Sequence, residues 1–117
     1  MTQHELGVFG ELLARDFLQK NGYTHIAFNY HYGREEVDII SKTETKIIIT
    51  EVKTRQTAEI GEPWRAVTKT KQRQIIRVAD AYIKEHEIDL NVRFDIISIV
   101  HNSYSTQIEH IEDAFGC

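Results

Sequence analysis

A chain of 117 residues, 41% hydrophobic, carries enough apolar material for one core and too little for two, so a single domain spanning 1–117 is expected. No run approaches the roughly 18 apolar residues that cross a bilayer. The polar start MTQHELG lacks the apolar stretch of a secretory signal, and the one cysteine, Cys117, cannot close an internal disulfide. These features exclude a helical membrane protein and a disulfide scaffold, and they predict a cytoplasmic location. A net charge of −4 argues against a uniformly basic nucleic-acid binder. Its distribution is uneven, however: residues 53–77 hold seven basic side chains against Glu59 and Glu62, a net +5 that leaves −9 on the remainder. Such asymmetry predicts one positive face on an acidic body, or else a solvated helix face that binds nothing.

Along residues 6–21, Leu6, Phe9, Leu13 and Phe17 recur every three or four positions, with Leu12, Ala14 and Leu18 widening the stripe. This predicts an amphipathic helix stopped by Asn21-Gly22. A first strand is expected over 23–30. Residues 37–41 and 47–52, rich in branched apolar side chains around the polar stretch 42–46, predict a β-hairpin. A loop with Gly61 and Pro63 follows, then a second amphipathic helix over 68–86 with Ile75, Val78, Ala79, Tyr82 and Ile83 on its apolar side. Lys69, Lys71, Arg73 and Arg77 crowd the start of that helix, where the dipole disfavours cations, so a phosphate ligand is a better account of them than helix stability. Strands over 92–100 and 106–115, joined by a turn at Asn102-Ser103, complete the chain.

The hairpin serves as a ruler. A loop centred on Glu44 and Thr45 pairs residues whose numbers sum to 89, which sets Asp38 opposite Glu51 and Glu36 opposite Lys53. Strict alternation would then put Glu36, Asp38, Glu51 and Lys53 on one face, with Val37, Ile39, Ile48 and Val52 on the other. Facing carboxylates with Cβ atoms about 4.5–5.5 Å apart destabilise a sheet unless a cation or proton joins them. At 4 Å the repulsion is about 1 kcal/mol in water and about 4 kcal/mol at an effective dielectric of 20. Lys53 is one candidate cation, or it forms a plain salt bridge to Glu36. A divalent ion would neutralise the pair more fully, and oxygen donors without thiolate or histidine favour Mg²⁺ or Mn²⁺. Glu11, flanked by Gly7, Gly10 and Ala14, lies where a helix of small residues approaches a sheet closely; it reads either as a further ligand or as an exposed helix glutamate.

The segments G-V-F-G-E-L-L-A-R-D-F-L at 7–18, E-V-D-I-I at 36–40, I-T-E-V-K-T-R at 49–55, G-E-P-W-R-A-V at 61–67, R-F-D-I-I-S-I at 93–99 and I-E-H-I-E-D-A-F at 108–115 resemble the YraN-like family of predicted bacterial endonucleases. That family is similar to archaeal Holliday junction resolvases and to the restriction-endonuclease-like superfamily. The resemblance implies an α/β fold with a central mixed five-stranded sheet and two flanking helices in the order α-β-β-β-α-β-β. It also implies Asp38, Glu51 and Lys53 as the superfamily's acid-acid-lysine signature, with Glu11 as the helix-borne acid of resolvase-like members. One departure is Glu35, which stands where a glycine is usual.

The function the resemblance implies is a metal-dependent nuclease acting on branched or otherwise structured DNA. Asp38, Glu51, the backbone carbonyl of Val52 and Glu11 are the expected metal ligands, and Lys53 the group that orients water and stabilises charge. Arg55, Lys69, Lys71, Gln72, Arg73 and Arg77 are the expected nucleic-acid contacts. Arg93 and Asp95 are expected to pair structurally, Trp64 and Tyr32 to pack or to stack on a base, and His31 to be a minor candidate beside the site. Resolvases act as dimers, so a homodimer is among the expected states, although no apolar stripe in the sequence marks its interface. The competing readings are a nucleic-acid-binding module without turnover and a protein-interaction domain with a residual carboxylate cluster.

Overall fold

The computed structural model describes residues 1–57 and 66–116; Gly61, Pro63, Trp64, Arg65 and Cys117 lie outside them. Helix α1 (Gln3–Lys20) starts earlier than its apolar periodicity predicts because Thr2 and Glu5 form a capping box. The Thr2 hydroxyl accepts from the Glu5 amide at 3.1 Å and the Glu5 carboxylate accepts from the Thr2 amide at 2.8 Å, satisfying two otherwise orphaned donors. Asn21-Gly22 ends the helix as expected: Gly22 takes φ 90°, and the Tyr23 amide returns to the Leu18 carbonyl at 3.0 Å. Strands β1 (Thr24–Tyr32), β2 (Glu35–Lys42) and β3 (Lys46–Arg55) precede helix α2 (Lys69–Glu85), and β4 (Asn91–His101) and β5 (Thr106–Phe115) follow it.

The strands form one sheet in the order β1-β2-β3-β4-β5, antiparallel except for the parallel pair β3 and β4. Parallel neighbours need a long crossover, which α2 supplies. The result is the expected α-β-β-β-α-β-β order with a mixed five-stranded sheet and two helices, the architecture of the restriction-endonuclease-like class. Ile75, Val78, Ala79 and Tyr82 of α2 pack with Ile40, Ile47, Ile49, Phe94 and Ile96. Ala14 and Leu18 of α1 pack with Ile39, Ile97 and Ile99. Neighbours such as Ile39 and Ile40 enter different clusters, so the two helices cover opposite faces and the central strands read as continuous apolar runs. Leu12, predicted to widen the apolar stripe of α1, is 55% exposed. No helix among the described residues is long and apolar enough to cross a membrane.

The hairpin register is the predicted one. Ile39 pairs Thr50, Ile40 pairs Ile49, Ser41 pairs Ile48 and Lys42 pairs Ile47, around a turn closed by the Thr43 amide on the Lys46 carbonyl at 2.9 Å. The predicted alternation fails at Asp38. Ala27 and Ile40 pack on the α2 side, and Ile39 packs on the α1 side, as does Phe28, which lies under the Arg15 guanidinium. One residue further out, Tyr30 and Val37 face α2, where a regular pleat would turn them to α1. Both strands therefore reverse phase together at the facing positions 29 and 38, and Asn29 absorbs the reversal with φ 49°. Asparagine tolerates that left-handed conformation better than most residues. Val37 and Ile39 thus lie on different faces, correcting the expectation that they share one.

A second polar feature is buried on β4. Asp95, fully shielded from solvent, accepts two bonds from the Arg93 guanidinium at 2.9 and 2.8 Å, pairs with His110 Nε2 at 2.7 Å, and accepts the Asp113 amide at 3.0 Å. Asp113 takes φ 52°, and the β4–β5 ladder shifts between Phe94 and Ile96. The predicted Arg93–Asp95 pairing is present, and Tyr23 extends it by accepting from Arg93 at 2.6 Å.

Candidate active site

The paired β2–β3 residues end at Ile39 and Thr50, and beyond them carboxylates take over the backbone bonding. Asp38 Oδ2 accepts from the Val52 amide at 2.8 Å, and Glu51 Oε1 accepts from the Asp38 amide at 3.3 Å. The two acids are therefore joined through the strand gap instead of standing side by side on one face. Neither Asp38 Oδ1 nor Glu51 Oε2 makes a hydrogen bond among the described residues. Burial pushes the Glu51 carboxyl up to about 8, aided by the Asp38 charge and opposed by Lys71 and Lys53. Burial also pushes Asp38 up to about 6, where the Val52 amide bond opposes it and the charges of Glu11 and Glu36 add to it. Glu51 is only 4% exposed and Asp38 is half-buried at the groove wall, so the pair is largely held out of water with little to neutralise it.

Lys53 acts electrostatically on both acids yet makes no ion pair among the described residues; the alternative of a salt bridge to Glu36 is not what the structure shows. Glu36 lies across from His31 on β1, with 3.9 Å between its carboxylate and the ring Nε2. Glu11 is brought beside Asp38 by the approach of α1 to β3, and its carboxylate accepts from Arg15 at 3.1 Å. That approach depends on Gly10: a Cβ built there would lie 1.8 Å from Thr54 Oγ1. Gly7 plays no such part, since nothing lies within 4 Å of a Cβ placed on it. Gly10→Ala is expected to lower the unfolding free energy by about 2 kcal/mol through overpacking. Urea midpoints will measure the loss, and adding Thr54→Gly should restore part of it. A groove of about 800 Å³ opens between the start of α1 and the end of β3, with Glu11, Asp38, Val52, Lys53 and Arg55 along its wall.

Helix α2 distributes its basic residues unequally. Thr68 caps it through the Lys71 amide at 3.1 Å, and the half-buried Lys71 acts on Glu51. Gln72 is tied to the Val67 carbonyl at 3.1 Å, which turns its side chain back on the helix start. Lys69 and Arg73 are exposed. Arg77, expected to contact nucleic acid, instead pairs with Glu35 at 2.5 Å. The departure at Glu35 is therefore neutralised by the second helix. Sequence reading missed Arg15, which donates to both Glu11 and Asn29 and stacks its guanidinium 3.7 Å from the Phe28 ring centre. The i,i+4 spacing of Glu11 and Arg15 was the available signal.

Among the described residues, no three His, Cys, Asp or Glu side chains come together as a metal-binding group. The donor set at the strand gap is two carboxylates, the Val52 backbone, and Glu11 held by Arg15. Fold and site together define a restriction-endonuclease-like α/β protein with a buried glutamate, a half-buried aspartate bonded across the strand gap from it, and a neighbouring lysine. The chain belongs to the uncharacterised protein family UPF0102, whose model matches residues 10–99. Its relatives include UPF0102 proteins of Christiangramia forsetii, 45% identical with 98% of each chain covered, and of Phocaeicola vulgatus, 43% identical with 98% and 96% covered. The UPF0102 protein FP2501 of Flavobacterium psychrophilum is 39% identical with 98% of each chain covered. A solved structure, Pyrococcus furiosus SfsA in complex with Ca²⁺, matches 89% of this chain and 60% of its own at 11% identity and a TM-score of 0.34, too distant for anything to be transferred.

Proposed function

We propose that the protein is a metal-dependent nuclease that hydrolyses phosphodiester bonds in branched or otherwise structured DNA, using Mg²⁺ or Mn²⁺. The observation that carries this reading is the Asp38–Glu51 pair joined across the strand gap, Glu51 buried and Asp38 half-buried, with Lys53 acting on both acids. The donors fit a hard dication. Mg²⁺ keeps several waters and needs only one or two carboxylates, so Asp38, Glu51 and the Val52 carbonyl suffice, with Glu11 reaching directly or through water. Such an ion supplies charge stabilisation at the phosphate and a more acidic water.

The chain's own residues do the rest. Lys53 is a compact point charge that orients water and offsets negative charge as the phosphate is attacked. Lys69, Lys71 and Arg73, with Arg55, hold neighbouring phosphates and fix register without reading sequence, and Gln72 joins them only by giving up its bond to the Val67 carbonyl. The likeness to Holliday junction resolvases extends the proposal to a homodimer acting on a two-fold substrate.

The test is incubation of purified protein with branched, single-stranded and duplex DNA and with RNA, in Mg²⁺ or Mn²⁺. At least one DNA should be cut, and cutting should vanish in chelator, in Asp38→Asn and in Lys53→Ala. Cleavage surviving both substitutions would overturn the assignment. So would salt-sensitive binding without cleavage in either metal, the behaviour of a binding module.

A further inference from the structure

Tyr104 is 94% exposed at the tip of the β4–β5 hairpin, the most exposed large hydrophobic side chain among the described residues. The tip beneath it is well tied. Asn102 accepts from the amides of Tyr104 and Ser105 at 2.9 and 3.2 Å, its own amide donates to the Ser105 carbonyl at 3.0 Å, and its side chain donates to the Gln56 carbonyl at 2.8 Å. The last bond fastens the hairpin to the segment that continues β3. Beneath the tip, His101 stacks on Phe9 with ring centres 4.1 Å apart and is fixed by Thr106 at 2.6 Å. A second hollow of about 710 Å³ lies between Tyr104, His101 and Leu6. Met1, Leu6, Gln56 and Thr57 line both this hollow and the groove that holds Asp38 and Lys53, so the two are continuous.

We propose that this hollow is a binding subsite for an unpaired nucleobase, stacked on the Tyr104 ring, of the strand whose phosphate lies at Lys53. This rests on the nuclease reading and specifies its substrate as DNA with a splayed or single-stranded segment beside the cut. Gln56 stands three residues beyond Lys53, roughly 10 Å at the rise of a strand. That is about three nucleotides along a stacked strand at about 3.4 Å each. A ring on a narrow hairpin can engage only a base whose face is free, and in an intact duplex both faces of each base are covered by its neighbours. Among the described residues the ring has no partner of its own, and Asn102 fixes the backbone that carries it.

The test measures binding in chelator, so it does not depend on catalysis. Labelled single strands of equal length, one with bases and one abasic throughout, are titrated against wild type, Tyr104→Ala and Tyr104→Trp. The wild type should prefer the strand with bases by roughly tenfold, within the range of one stacked base. The preference should collapse in Tyr104→Ala and persist in Tyr104→Trp, with melting temperatures unchanged because the side chain is in solvent. Equal affinity of wild type for both strands, or a preference that survives Tyr104→Ala, overturns the subsite while leaving the nuclease reading intact. Absence of binding to either strand overturns the subsite too, and metal-dependent cleavage of duplex or branched DNA then decides the nuclease reading separately.

Discussion

Glu51→Gln is expected to abolish metal-dependent cleavage and, at pH 8 in chelator, to raise the melting temperature. Most substitutions of buried polar residues do the reverse. The folded protein raises the Glu51 carboxyl from an ordinary 4.5 to about 8. Between those values the unfolded chain has released a proton that the folded chain retains, so stability falls as pH rises through the window and the penalty is complete above it. Glutamine carries no charge to bury and keeps a carbonyl for the Asp38 amide. It also removes the repulsion between the Asp38 and Glu51 charges. The gain should be on the order of 3 kcal/mol at pH 8 and fade below pH 4.5, or about 10 °C by calorimetry. Millimolar Mn²⁺ should then stabilise the wild type and leave Glu51→Gln unmoved. A lower melting temperature for the variant at pH 8 would mean that the acid pair is not held against its preference.

Asp95→Ala is expected to cost about 3–5 kcal/mol, because it leaves the Asp113 amide without its acceptor and the Arg93 guanidinium with only the Tyr23 hydroxyl and the exposed Glu112. Burial works to raise the Asp95 carboxyl, but bonds from His110, Arg93 and the Asp113 amide outweigh it and hold it below 3.8. Its contribution is therefore present above that ordinary value and is lost as pH falls through the depressed one. Denaturant titrations at pH 7 and pH 3 should give a large difference between wild type and Asp95→Ala at the first and a smaller one at the second. Adding Arg93→Met should return part of the loss, since no charge is then left unmatched. Equal midpoints for wild type and Asp95→Ala at pH 7 would show that solvent reaches the network.

Much of the fold was legible because it rests on local patterns. The branched runs around the polar turn gave the hairpin, and a loop centred on Glu44 and Thr45 gave its register, because pairing in an antiparallel ladder is arithmetic. The closeness of residues 38 and 51 followed from the same sum. Their orientation did not, because alternation assumes an unbroken pleat and the reversal at Asn29 and Asp38 breaks it in two strands at once. An asparagine inside an apolar strand was the only hint. The start of the first helix lies in a different signal from its apolar periodicity, the Thr2–Glu5 capping box T-x-x-E, which extends the helix ahead of Leu6. Arg77 with Glu35 joins residues 42 apart on a helix and a strand, and no spacing rule reaches that pair.

The strand gap also assigns different duties to the atoms of each acid. Asp38 Oδ2 and Glu51 Oε1 are occupied in closing the sheet, while their sister oxygens are left unengaged by the described residues. Anchorage and receptivity are thus divided within a single functional group. Amide-for-acid exchange keeps the anchoring oxygen and replaces the receptive one by nitrogen, whereas truncation to alanine removes both and confounds loss of chemistry with an unlaced sheet. Asparagine at 38 and glutamine at 51 are therefore the informative controls for this centre.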